Sequence, residues 1–217
     1  MITPTRAYYR HATRSPRAVT SGVDKGVDLL SGRLRRRRSL KSQLYREANR
    51  AWKEAQRLES CSDEELQSML NELQIRFRRQ RKESPSLRRE ALALVAGICQ
   101  RSMGMSPYPV QLMGALAIER GLFAEMATGE GKTLTIGLAG VLAGWRGLPC
   151  HVITANDYLA QRDAETMAPL YERCGVRVGF VIGKQEPPER VENYEKDIVY
   201  TTSQQLLADF LRDRLTM

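Results

Sequence analysis

Met126-Ala127-Thr128-Gly129-Glu130-Gly131-Lys132-Thr133 is the stretch on which the reading of this chain turns. An apolar run, Leu122 to Met126, leads into it, and a helix-forming segment, Gly131 to Trp145, leads out. A glycine-rich connection of this kind, closing on Gly-Lys-Thr between a strand and a helix, is the context of a phosphate loop. Gly129 and Gly131 let the backbone curl with its N–H groups pointing inward. The first turn of the following helix adds unpaired donors and the positive end of its dipole. The resulting nest selects an anion. Thr128, Gly129, Glu130, Gly131, Lys132 and Thr133 are therefore the candidate ATP-binding residues. Lys132, the candidate catalytic group, would reach the β and γ phosphates as a point charge, and the Thr133 hydroxyl is the candidate ligand of the bridging Mg²⁺. The strict pattern has glycine at the first position, where this chain has Met126.

Upstream, Gln111 stands in Pro107-Tyr108-Pro109-Val110-Gln111, 21 residues before Lys132. A carboxamide carries a donor and an acceptor together, the pair needed to read the edge of adenine. At this distance from a phosphate loop Gln111 is the candidate adenine reader, with Tyr108 or Met105 available to pack on the base.

Downstream, short apolar runs alternate with helical stretches, the pattern of a parallel α/β sheet. Strands are expected at about Leu122 to Met126, His151 to Ala155, Val176 to Ile182 and Asp197 to Thr201. The helix from Gly131 to Trp145 is apolar nearly all round and carries Gly137, Gly140 and Gly144, so close neighbours must cover most of its faces. The fold class is accordingly α/β, a P-loop NTPase sheet of the RecA-like or helicase type with flanking helices.

Before the loop the pattern is helical. Leu44, Ala48, Ala51, Trp52 and Ala55 recur every three or four residues across Gln43 to Leu58, among Arg46, Arg50, Lys53 and Arg57, which makes a basic amphipathic helix. Docking against the chain's own core is its expected fate, with a membrane or partner surface as the other. Ser62 and Glu65 form a capping box ahead of Leu66, Met69, Leu70 and Leu73. Pro85 then opens a third helix with Leu87, Ala91, Leu94, Val95 and Ile98, closing near Gly104. The expected organisation is a basic arm over residues 1–40, helices over 41–104 that pack on the lobe, and a partial phosphate-loop lobe over 105–217.

The net charge of +9 is concentrated at one end. Residues 1–40 hold ten Lys or Arg against Asp24 and Asp28, a net +8, so the remainder is nearly neutral. This excludes a nucleic-acid-binding domain that is basic throughout. The arm is compatible with a transit peptide, a polybasic segment for anionic lipid, or a solvated tail. The longest apolar run, Ala91 to Cys99, is about half of the roughly 20 residues that a membrane span requires. Cys61, Cys99, Cys150 and Cys174 are widely spaced and suggest neither a zinc site nor a disulfide framework, which fits a cytoplasmic protein.

Together the motifs resemble the SecA family of protein-translocating ATPases, from about Ser62 onward. Ser62-Asp-Glu-Glu-Leu66 is similar to the family's opening helix. Val110-Gln-Leu-Met-Gly114 and Glu125-Met-Ala-Thr-Gly-Glu-Gly-Lys-Thr133 resemble its adenine and phosphate motifs, Met126 included. Thr154-Ala-Asn-Asp-Tyr-Leu-Ala-Gln-Arg-Asp-Ala-Glu165 is nearly its signature after the second strand, and Asp197 to Ser203 followed by Phe210-Leu-Arg-Asp213 is a looser match. Gln204, Gln205, Ser106, Pro107 and Pro109 depart from the family pattern.

The resemblance implies ATP and Mg²⁺ as cofactors, a preprotein and a SecYEG-type channel as partners, and a peripheral position on the inner face of the plasma membrane. It places Asn156, Asp157, Tyr158 and Arg162 where related helicases touch their polymer, although capping explains Asn156 and Asp157 equally well. It also places a paired Asp-Glu strand after the Leu-Arg-Asp element. The chain reaches Met217 without it, so an incomplete lobe that binds nucleotide and hydrolyses it negligibly is expected. Two other readings stand beside this one. A DEAD-box-like nucleic-acid motor shares Gln111 and Gly-x-Gly-Lys-Thr, but not the Asn156 to Asp163 run, which speaks against nucleic acid as a partner. A non-enzymatic, nucleotide-sensing membrane adaptor would use the arm and first helix as its anchor.

Overall fold

The computed structural model describes residues 26–27, 40–79, 84–147 and 149–215. Nearly all of the basic arm lies outside the described residues. Among the described residues, α1 (Leu40–Arg57), α2 (Asp63–Arg79), α3 (Pro85–Met103) and α4 (Pro109–Glu119) precede the glycine-rich loop. The helix of the phosphate loop, α5 (Lys132–Trp145), is followed by β1 (Cys150–Thr154), α6 (Asp157–Arg173), β2 (Val178–Phe180), α7 (Pro187–Tyr194), β3 (Ile198–Thr202) and α8 (Ser203–Leu215).

Helix boundaries follow the capping chemistry. Ser62 and Glu65 form the expected reciprocal box, with Ser62 N–H donating to Glu65 Oε2 at 2.7 Å and Glu65 N–H to Ser62 Oγ at 3.2 Å. Ser84 caps α3 by accepting from Leu87 N–H, Pro85 opens it, and Gly104 closes it at φ 69°. Only a residue without Cβ adopts that left-handed turn without strain.

The three strands are parallel in the order β1-β3-β2, with Cys150 beside Ile198 and Phe180 beside Tyr200. The central strand β3 is buried along its whole length. One expected strand is corrected: Leu122 to Met126 is extended but pairs with no strand among the described residues. The alternation that suggested a strand is present, with Leu122, Ala124 and Met126 half-buried and Phe123 and Glu125 exposed. Side-chain alternation sets which face is buried; a ladder needs a neighbour as well. The strand expected at Val176 to Ile182 shortens to the three residues that pair with β3.

The glycines of α5 are explained by contact. Added Cβ atoms at Gly137, Gly140 and Gly144 would run into Met167, Tyr171 and Val176 respectively, so α6 and the turn after it lie directly on this stripe. The early helices share the same core. Phe77 of α2 meets Trp145 of α5 edge to face at 5.8 Å. Trp145 Nε1–H and Gln74 Nε2–H both donate to the carbonyl of Cys174, at 2.9 and 2.6 Å. Cys99 and Cys174 are buried free thiols. Burial pushes the Cys99 thiol up to about 11.

The last helix, α8, is inverted relative to an ordinary surface helix. Its buried residue is Asp209, whereas Leu207, Phe210, Leu211 and Leu215 are exposed. Asp209 accepts from Arg190, Tyr194 Oη at 2.8 Å, Gln205 Nε2 at 3.2 Å and Arg212 at 2.8 Å. Polar bonds to α7 therefore hold the helix where apolar packing usually would.

Candidate phosphate-loop site

The half-buried residues Leu122, Ala124 and Met126 anchor the extended segment that delivers the chain to the loop. The loop is tied by its own glutamate, whose Oε2 accepts from Ala127 N–H at 2.9 Å. Gly129 and Gly131 lie at φ 87° and 81°, the left-handed region that other L-residues enter only with strain. Gly131 is the residue before α5, and no side chain caps that helix. Its first turn contains no acidic residue. The first donors and positive dipole end of α5 thus carry no capping side chain, and the Glu130 carboxylate is turned back onto Ala127 N–H, an arrangement suited to an external anion. Lys132 is exposed at the first position of α5 and Thr133 is half-buried beside it. Thr128, Gly129 and Glu130 are exposed along the rim.

Gln111 comes to this loop from α4. Its Oε1 accepts from Tyr108 N–H at 2.9 Å, closing the start of α4, and its Nε2–H donates to the carbonyl of Glu130 at 3.0 Å. The side chain is only 8% exposed, and a Cβ at Gly131 would collide with its Nε2. Gln111 therefore braces the phosphate loop from behind with half of its hydrogen-bonding capacity. One N–H and one acceptor lone pair remain. Tyr108 is 69% exposed and Met105 39% exposed at the mouth of the same turn.

The other residues singled out in the sequence divide. Asn156 caps α6, accepting from Leu159 N–H at 2.8 Å, and Asp157 Oδ2 accepts from Gly183 N–H at 2.9 Å. Both side chains are occupied in holding the carboxyl ends of β1 and β2. Tyr158 and Arg162 are exposed, with the guanidinium 5.8 Å from the ring centroid and bonded to Asp163. Sequence reasoning passed over Thr135, which is fully buried two positions beyond Thr133. The signal for it was a hydroxyl inside an otherwise apolar helix.

A SecA DEAD-like domain model matches residues 30–217. The chain belongs to the SecA family. A protein translocase subunit SecA 2 of Magnetococcus marinus is 47% identical over 200 residues, covering 92% of this chain and 31% of the relative. A protein translocase subunit SecA 2 of Chlorobium chlorochromatii is 41% identical over 214 residues, covering 99% of this chain and 32% of the relative. A SecA 1 of Corynebacterium diphtheriae is 43% identical over 154 residues, 71% of this chain and 18% of its own length. The chain thus spans about a third of the length of these two SecA 2 relatives. The parallel sheet and the uncapped helix after the loop agree with the DEAD-type α/β domain that this membership implies. Among the described residues no helix is long and apolar enough to cross a membrane, and no cluster of three or more His, Cys, Asp or Glu is placed to hold a metal.

Proposed function

We propose that this chain is the ATP-binding part of a SecA-type motor that couples ATP hydrolysis to protein translocation, its partners being a preprotein and a SecYEG-type channel. The observation that carries the reading is the uncapped start of α5 behind two left-handed glycines, braced by Gln111. Backbone donors from Thr128 to Thr133 and the Lys132 ammonium would hold the phosphates, and Thr133 would hold Mg²⁺. Gln111 would read adenine with its remaining donor and acceptor. Bound Mg-ATP supplies the phosphoryl group whose loss drives the cycle; the chain's own residues bind and orient it. We propose the same division of the chain as the sequence suggests, helices over 41–104 and a lobe over 105–217.

The chain alone is proposed to hydrolyse ATP negligibly. Lys132, Thr133 and Gln111 include no general base, and the Glu130 carboxylate is engaged by Ala127 N–H. Titration of the 217-residue chain with Mg-ATP tests the reading. Saturable binding that Lys132→Ala abolishes, without loss of thermal stability, is the expected result. No binding by the unaltered chain overturns it. Turnover of about 1 per second or more, lost in Lys132→Ala, overturns the inactivity.

A second contact is favoured by α1. Glu47 pairs with Arg120, just past the end of α4, and Glu54 with Arg89 of α3 at 2.9 Å, so the acidic residues of α1 face the body. Arg46, Arg50, Lys53 and Arg57, spaced four, three and four apart, are exposed and have no partner among the described residues. We propose that this face and the basic arm meet anionic lipid, each cation worth roughly 1 kcal/mol at the surface. Co-sedimentation with phosphatidylglycerol vesicles tests it: binding unchanged by deleting residues 1–39 and neutralising the four cations overturns it.

A further inference from the structure

Thr135 carries the one buried polar atom of α5 that the phosphate loop leaves unexplained. The residue is fully buried, and its Oγ1 has no hydrogen-bond partner. The methyl group is already committed: a Cβ on Gly114 of α4 would lie 2.8 Å from Thr135 Cγ2 and 3.4 Å from Met126 Sδ. Thr135 therefore sits where α4, α5 and the first residue of the loop converge. A buried hydroxyl without a partner is destabilising by about 1–3 kcal/mol. Valine would fill the same space without that penalty.

The acceptor that a helical threonine hydroxyl characteristically bonds is the carbonyl of residue i−3 or i−4. For Thr135 residue i−4 is Gly131, whose carbonyl already receives Thr135 N–H at 3.0 Å and keeps a second lone pair. Gly131 C=O and Lys132 N–H belong to one rigid peptide plane. An anion drawing Lys132 N–H inward must turn that plane and move the carbonyl with it.

We infer that Thr135 is a positioning residue of the phosphate loop: its hydroxyl, unpartnered in the free chain, bonds the Gly131 carbonyl when nucleotide turns the Gly131–Lys132 peptide, and fixes Lys132 N–H on the phosphate. This rests on the proposed nucleotide-binding reading. The hydroxyl is then the loop's reserve bond, made only in the bound state.

The test is Mg-ATP titration of the 217-residue chain with Thr135→Val and Thr135→Ser, beside thermal unfolding of each ligand-free protein. Thr135→Val is expected to unfold at the same or a higher temperature yet bind about fivefold more weakly, the worth of one net hydrogen bond. Thr135→Ser, which keeps the hydroxyl and loses the methyl, is expected to unfold at a lower temperature and bind within about twofold of the parent. Affinity in Thr135→Val equal to the parent overturns the inference, as does a loss in Thr135→Ser as large as that in Thr135→Val. If the unaltered chain does not bind Mg-ATP, the function reading itself fails, which the first titration shows before any variant is made.

Discussion

Gln111 Nε2 donates to the carbonyl of Glu130 at 3.0 Å, joining the start of α4 to the crest of a loop 19 residues later. The same amide accepts from Tyr108 N–H at 2.9 Å, so one side chain sets both the entry to α4 and the curl of the phosphate loop. Gln111→Glu separates these duties, because a carboxylate still accepts from Tyr108 but repels the Glu130 carbonyl. Gln111→Glu is expected to fold and to bind Mg-ATP at least about tenfold more weakly, combining a lost hydrogen bond with a new repulsion. Equilibrium titration with Mg-ATP checks this, and parental affinity in the variant would show that the brace is idle.

Gly140 sets the distance between α5 and α6. An added Cβ would stand 2.5 Å from the hydroxyl of Tyr171, which is itself bonded to Tyr200 at 2.9 Å in the buried core. Helix propensity favours Ala over Gly by about 1 kcal/mol, whereas overpacking of a filled core is unfavourable by about 1–3 kcal/mol. The overlap should win, because neither tyrosine can withdraw without breaking the pair. Gly140→Ala is expected to lower unfolding stability by about 1–2 kcal/mol in a urea titration; a stabilised variant would mean that α6 is free to retreat.

Asp209 is the attachment of α8. Removing its carboxylate leaves Arg190 buried without its charge partner and frees Tyr194 and Gln205. Breaking a buried pair from one side typically destabilises by about 3–5 kcal/mol. The strain should fall on one helix, since the other large side chains of α8 beyond Leu206 face outward. Asp209→Ala is expected to raise amide hydrogen exchange across Ser203–Leu215 well above that in β1 and β3. Uniform exchange across the lobe would show that α8 is held by something other than Asp209.

How far these features could be read from sequence depends on whether their cause is local. The capping box at Ser62 and Glu65, the stop at Gly104 and the Asn156 cap are each settled within four residues, and all three were legible. The left-handed turns at Gly129 and Gly131 were legible for the same reason, both glycines lying in one contiguous run. Leu122 to Met126 was misread as a strand because alternation is local while pairing is not. The Gln111 brace spans 19 residues and the Asp209 cluster joins two helices. In each case composition gave the residue type, and only the packing gave its partner.

Asp197 offers a pH test of the sheet. It immediately precedes β3, and its Oδ2 accepts from Arg177 N–H at 2.8 Å while Oδ1 receives Arg177 Nη2 at 3.2 Å, locking the entry of β2 to that of β3. Burial pushes the Asp197 carboxyl upward, but the bonds and charge of Arg177 outweigh it and hold the group below the usual carboxylate range. A carboxylate depressed by folding binds fewer protons in the native than in the unfolded chain. Its stabilisation is therefore complete above the unfolded value near 3.8 and is lost as pH falls through the lower, native one. The pair is partly exposed, so about 1 kcal/mol or less is expected at neutral pH. Asp197→Asn should be less stable than the parent by that amount at pH 7, and the gap should close toward acid in parallel urea titrations. A gap that widens toward acid would mean that Asp197 is protonated more readily in the folded chain, and that burial outweighs the combined bonds and charge of Arg177.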